Sequence, residues 1–200
     1  MDTQTGMKKR IANLTSNILN PFLLCLAIIL LLSFTSTSTI SDALKWASIS
    51  MALSILPVFL FIIYLVRNGT LDAIFTNARE QRTKIYLLGG LCAIAGCVIL
   101  TRLGAPSVLV GAFIAGISTA VIFMCINLWW KISLHTALVA ASSTVLVMLY
   151  GWIAVATVPL VPLTAWARIE LEYHSLAQAV TGALLATLIT VVVFYPFVLV

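Results

Sequence analysis

Charged side chains are scarce. Asp, Glu, Lys and Arg make up 8% of the 200 residues, against about 25% in an ordinary soluble domain. A chain so poor in charge cannot clothe a water-facing surface, which excludes a soluble globular domain and a disordered chain alike. Cysteine is sparse too. The four present, Cys25, Cys92, Cys97 and Cys125, all lie inside apolar runs, and the step of five from Cys92 to Cys97 is neither a metal-binding Cys-x-x-Cys nor an i, i+4 pair. This excludes a disulfide-stapled secreted module, and the thiols are expected to be small buried hydrophobes. With two histidines, no paired carboxylates and no Cys/His cluster, no metal site and no other cofactor is expected. The phosphate-cradling P-loop and the Gly-x-Ser-x-Gly elbow are missing. The net charge is only +5, and its basic residues are too few and too scattered for a nucleic-acid surface. They suit anionic lipid headgroups instead.

What fills the chain is apolar: 62% of residues are hydrophobic, in runs close to the roughly 20 residues that a helix needs to cross a bilayer. The pattern predicts an all-α, polytopic transmembrane bundle of six to seven helices, with residues 1–20 as a polar N-terminal leader and residues 21–200 as a single transmembrane domain. No small-residue cleavage site marks the leader as a removable signal. The expected helices cover residues 21–37, 44–66, 84–103, 107–130, 133–151, 154–168 and 174–198. Pro21 stands at a helix start, where its missing N–H costs nothing, and Pro57 should kink the second helix. Gly89, Gly90, Gly111, Gly116 and Gly182 read as helix-packing contacts, and Trp129, Trp130 and Trp166 as interface-belt residues. The sixth helix holds Pro159 and Pro162 and is short. If it fails to cross, Arg168 and His174 land opposite His135.

With seven crossings, one face collects Lys8, Lys9, Arg10, Arg67, Arg79, Arg82, Lys84, Lys131 and Arg168, and the other only Lys45 and Arg102. By the positive-inside rule the first face is expected to be cytoplasmic. It also holds three polar clusters: Arg79 to Arg82, then Ser133 and His135, then Arg168 through His174 to Gln178. Both histidines of the chain start a helix there. Ionisable groups at such positions in an apolar bundle are functional candidates. Guanidinium groups can hold a phosphoryl group and neutralise its transition state. One imidazole can attack phosphorus while the other protonates the leaving oxygen. His174 and Gln178 are i, i+4, so the amide oxygen can accept the imidazole N–H and fix its tautomer. Taken singly, each residue also has a plainer reading. Arg79 and Arg82 serve as topology anchors, the histidines as interfacial polar groups, and Glu170 and Glu172 as a solvated turn that can also pair with Arg168.

These residues carry a resemblance. Residues 167–178, ARIELEYHSLAQ, resemble the third signature of the type 2 phosphatidic acid phosphatase superfamily, S-R-x(5)-H-x(3)-D, through Arg168 and His174. ISLH, 132–135, is similar to its second signature, P-S-G-H, through Ser133 and His135, and REQRT, 79–83, to the end of its first, K-x(6)-R-P, through Arg82. The resemblance implies a phosphatidic acid phosphatase type 2-like bundle. Its function would be metal-independent hydrolysis of a lipid phosphate or polyprenyl diphosphate. It implies that His174 forms a phosphohistidine, that His135 protonates the leaving alcohol, and that Arg82, Arg168 and Ser133 hold phosphate oxygens. The sequence departs from the signatures at Phe75 for lysine, Thr83 and Ile132 for proline, Leu134 for glycine, Ala167 for serine and Gln178 for aspartate. Arg79 is the expected replacement for the missing lysine, and Asp72 a second source of carboxylate. Gln178 can orient His174 but adds no negative charge. The alternative reading is therefore a catalytically silent membrane protein of the same fold that binds or transports a lipid phosphate.

Overall fold

The computed structural model describes residues 3–71, 74 and 79–198. Asp72 and Phe75 lie outside the described residues. Those described form nine α-helices and one 3₁₀ helix, with no strand among them. In chain order they are α1 (Thr3–Ile18), α2 (Pro21–Thr35), α3 (Ile40–Leu53), α4 (Ile55–Arg67), α5 (Arg79–Leu103), α6 (Ser107–Asn127), α7 (Leu134–Tyr150), the 3₁₀ helix (Gly151–Thr157), α8 (Leu160–Glu170) and α9 (Leu176–Val198). Among the described residues six helices are long and apolar enough to cross a membrane: Gly6–Thr35, Ile40–Arg67, Arg79–Leu103, Ser107–Asn127, Leu134–Thr157 and Leu176–Val198. Stripes of large apolar side chains stay exposed on them, as Leu87, Leu91, Ile94 and Val98 do along α5. In water such stripes would aggregate. In a bilayer they face lipid.

The helices group into two compact units. The first is Met1–Leu24 with Lys131–Val192, the second Cys25–Trp130 with Val193–Val200.

In the first unit, the stretch read as a polar leader forms helix α1, which packs against α8. Its polar residues conceal an amphipathic period. Ala12 and Ser16, one turn apart, are buried, while Met7, Ile11, Leu14 and Ile18 line an exposed stripe. Asn20 ends α1 and starts α2, its Oδ1 accepting from Leu23 N–H at 3.0 Å, with Pro21 as the first helical residue.

The path after α7 decides where the polar residues meet. Tyr150 ends α7, and Gly151, at φ 63°, turns the chain into the 3₁₀ helix. Ser143 Oγ then donates to the carbonyl of Thr157 at 3.2 Å. A straight helix would hold these residues about 21 Å apart at 1.5 Å per residue. The 3₁₀ helix therefore runs back along α7, from its end to its middle. Pro159 and Pro162 explain why this stretch is not one long helix. Each lacks an N–H, which is harmless only at a helix start, and α8 begins between them. From Ser143 back to Ser133 is about 15 Å of helix, and the 11 residues of α8 span about 16 Å. So α8 returns the chain to the N-terminal end of α7. Two contacts show α7 and α9 running in the same direction. Ser133 N–H donates to the carbonyl of Gln178 at 3.2 Å, and the hydroxyls of Thr144 and Thr187 lie 3.5 Å apart further along.

In the second unit, Pro57 breaks the second hydrophobic run as expected, and the break falls upstream of it. The carbonyl four residues before a proline loses its donor and meets the ring, and α3 ends at Leu53, with Ser54 between it and α4. Gly104, at φ 73°, closes the turn from α5 to α6. Gly111 packs under Phe197 and Gly96 under Phe113, where an added Cβ would lie 2.6 Å and 2.1 Å from the rings. Gly89 and Gly116, expected to be packing contacts, have nothing within 4 Å of that position. The cysteines also depart from expectation: Cys125 is exposed and Cys25, Cys92 and Cys97 are half-buried, none of them in a disulfide.

Candidate functional site

Arg168 and His174 belong to one locally folded segment. At the end of α8 the N–H of Glu172 donates to the carbonyl of Ile169 at 2.8 Å, and that of Tyr173 to the carbonyl of Arg168 at 3.1 Å. This double bond pattern is the Schellman helix stop. Its left-handed position, normally glycine, is held by Glu172 at φ 59°. His174 N–H adds a third bond to the same Arg168 carbonyl at 3.2 Å. The spacing Arg-x(5)-His is thus the length of a helix stop that folds back on its own start. The Arg168 guanidinium lies over the Tyr173 ring, 4.4 Å from its centroid, and its Nη1–H donates to Ser16 Oγ at 2.9 Å. Glu172 turns the other way, to Lys9 Nζ at 3.4 Å.

His174 then stands just before α9, whose start is a capping box, Ser-x-x-Gln. Gln178 N–H donates to Ser175 Oγ at 3.3 Å, and Ser175 N–H donates to Gln178 Oε1 at 3.2 Å. The same Oε1 is 3.1 Å from His174 Nδ1. A backbone N–H can only donate, so the Gln178 atom facing it is the oxygen. An amide oxygen can only accept, so Nδ1 carries the hydrogen. Neutral His174 is therefore held as the Nδ1–H tautomer, with the lone pair on Nε2.

His135 reaches the same end of the unit on the first turn of α7. Ser133 caps that helix, its Oγ accepting from Thr136 N–H at 3.5 Å and sharing a hydrogen bond of 2.9 Å with Thr136 Oγ1. Ser133 so has a structural task beside the one the resemblance implies. The backbone of residues 132–133 rests directly on α9. A Cβ on Gly182 would sit 2.8 Å from the Ser133 carbonyl oxygen, so only glycine fits there.

The first unit thus carries Ser133 and His135 at the start of α7, Arg168 at the end of α8, and His174 and Gln178 at the start of α9, which runs parallel to α7. His135 is 4% exposed, Arg168 3% and His174 6%. Helix starts present unpaired N–H groups and positive dipole ends, which favour an anion. Two imidazoles and a guanidinium out of water beside them form a chemistry suited to phosphate.

Arg79 and Arg82 belong to the second unit. Arg79 Nη1–H donates to the carbonyl of Leu128 at 2.8 Å, a cation at the C-terminal end of α6, and Arg79 Nε lies 3.4 Å from Glu80. Asn127 Nδ2–H returns a bond to the Arg79 carbonyl at 3.0 Å. These contacts tie α5 to α6, a structural task for the residue expected to replace the lysine of the resembled signature. Arg82 is buried on the inner side of α5, one turn before Tyr86.

Sequence reasoning missed Ser16, Thr136 and Ser175. The last was legible as Ser-x-x-Gln ahead of an apolar run. Ser16 had no such signal. Among the described residues no three His, Cys, Asp or Glu side chains group as metal ligands. Comparison with protein-family models, with curated protein sequences and with solved structures finds no match to this chain.

Proposed function

We propose that this chain is an integral membrane phosphatase of the phosphatidic acid phosphatase type 2 kind, hydrolysing a lipid phosphate or polyprenyl diphosphate. The observation that carries the reading is His174 fixed as the Nδ1–H tautomer by Gln178, within the segment that also turns back on Arg168. An imidazole that keeps its lone pair on Nε2 is ready to attack phosphorus. Arg168 neutralises the charge on the phosphoryl oxygens as the Nε2–P bond forms and the bond from phosphorus to the lipid oxygen breaks. His135, in its protonated form, gives its proton to the departing alkoxide. As a base it then takes a proton from the water that attacks the phosphohistidine, releasing phosphate and restoring His174. The lipid tail stays among the exposed apolar stripes of the helices while the headgroup meets the helix starts.

Gln178 favours one second reading. It supplies orientation but no charge, so the imidazolium that develops on His174 gains no electrostatic support. A protein that holds the phosphorylated lipid without cleaving it fits the same geometry.

Phosphate release from a panel of lipid phosphates, with and without chelator, separates the two. The phosphatase reading expects release that is indifferent to chelator, a phosphoenzyme trapped at alkaline pH where phosphohistidine survives, and loss of both in His174→Ala. Binding without turnover across the panel supports the silent reading. Undiminished turnover in His174→Ala removes this residue from the mechanism.

A further inference from the structure

The N-terminal helix reaches the phosphate-binding arginine from far away in the chain. Lys9, Ala12 and Ser16 fall on one face of α1. Each makes a different contact. Lys9 pairs with Glu172 at 3.4 Å, Ala12 is fully buried, and Ser16, 4% exposed, accepts the Nη1–H of Arg168 at 2.9 Å. Tyr173 covers the flat face of the same guanidinium at 4.4 Å. Arg168 is thus held on one edge by a helix 152 residues away in sequence and on its face by its own turn.

We propose that Ser16 is a positioning residue for Arg168, and that α1 is a working part of the anion site rather than a leader. The proposal rests on the phosphate reading of that site. An arginine side chain has many rotamers, and ordering it on binding costs affinity. Ser16 removes that cost by holding the planar fork in one pose before the anion arrives. A hydroxyl suits the task better than a carboxylate would. It accepts the N–H without adding a negative charge that would compete with phosphate for the guanidinium.

The test uses the full chain in detergent and inorganic phosphate as the probe, with binding measured by calorimetry. Ser16→Ala is expected to weaken phosphate binding about 10-fold, the loss of one hydrogen bond to a charged group, and Ser16→Thr, which keeps the hydroxyl, to restore it. In an Arg168→Ala background, where binding is already weak, Ser16→Ala should change nothing further, because Ser16 acts only through Arg168. An equal loss in both backgrounds would mean that Ser16 acts by packing, and overturns the proposal. If Arg168→Ala abolishes binding while Ser16→Ala leaves it intact, the proposal fails and the phosphate site stands. If the wild-type chain neither binds phosphate nor turns over a lipid phosphate, both fall together.

Discussion

Gly182→Ala is the sharpest single perturbation of the site that touches none of its chemical groups. The new methyl group would lie 2.8 Å from the Ser133 carbonyl oxygen and 3.5 Å from the Ser133 nitrogen. A carbon–oxygen contact is comfortable only from about 3.3 Å outward, so the two backbones must part by roughly 0.5 Å. The Ser133 N–H to Gln178 carbonyl bond, already 3.2 Å, then passes the useful range, at a cost of about 1 kcal/mol. Overpacking adds about 1–3 kcal/mol, and the better helix propensity of alanine returns about 1 kcal/mol. The net expectation is a destabilisation of about 1–3 kcal/mol. The displacement also shifts the first turn of α7, with His135, against α9. On the proposed phosphatase reading, a shift of half an ångström in the reacting geometry predicts a roughly 10-fold loss of turnover. The assay is thermal unfolding in detergent beside the rate of lipid-phosphate hydrolysis. Gly89→Ala and Gly116→Ala serve as controls, because an added Cβ there meets nothing within 4 Å. Both should be neutral or slightly stabilising. A Gly182→Ala protein with wild-type stability and turnover would refute the close approach as the device that fixes the two helix starts.

Three further outcomes follow from particular contacts. Gln178→Glu keeps the length of the side chain and the capping box but adds a negative charge beside Nδ1. On the proposed phosphatase reading it should raise the basicity of His174 and speed hydrolysis by up to about 10-fold, read as initial rate; slower hydrolysis would contradict the assigned role of Gln178. Glu172→Gly relieves a left-handed backbone position and gives up only an exposed ion pair whose side chains are 51% and 81% accessible. It should raise stability by about 0.5–1 kcal/mol in chemical unfolding, and a loss of stability would show that the Lys9 pair matters more than the strain. Last, the charge bias of the sequence predicts that the Lys9–Glu172 end is cytoplasmic. A single cysteine at position 172, in a background lacking the four native ones, should resist an impermeant thiol reagent in intact cells and react after permeabilisation. Labelling from outside reverses the orientation.

Much of this protein can be read without coordinates, because much of it is local. Apolar run lengths give helices long enough to span a bilayer, since a chain in lipid must satisfy its own backbone. Pro21, Pro57 and Gly104 act on the backbone within one turn of themselves, so their effects are visible in sequence. The same holds for His174 and Gln178, whose contact needs only the four-residue repeat of a helix. Burial is another matter. In a bilayer an apolar side chain is as comfortable against lipid as inside the bundle, so hydrophobicity no longer tells inside from outside. Cys125 therefore proved exposed, and a Cβ added at Gly89 or Gly116 would meet nothing within 4 Å. The contacts that only tertiary structure decided are those closing long loops: Ser16 to Arg168, Arg79 to the carbonyl of Leu128, and Ser133 to Gln178. Each depends on where a helix is carried by its neighbours, and the first and third above all on the turn at Gly151 and the short α8 that return the chain toward the start of α7. No periodicity in the sequence encodes that return. It follows from Pro159 and Pro162 forbidding a continuous helix, and from polar groups far apart in sequence, such as Arg168 and Ser16, finding in one another the partners that lipid cannot offer.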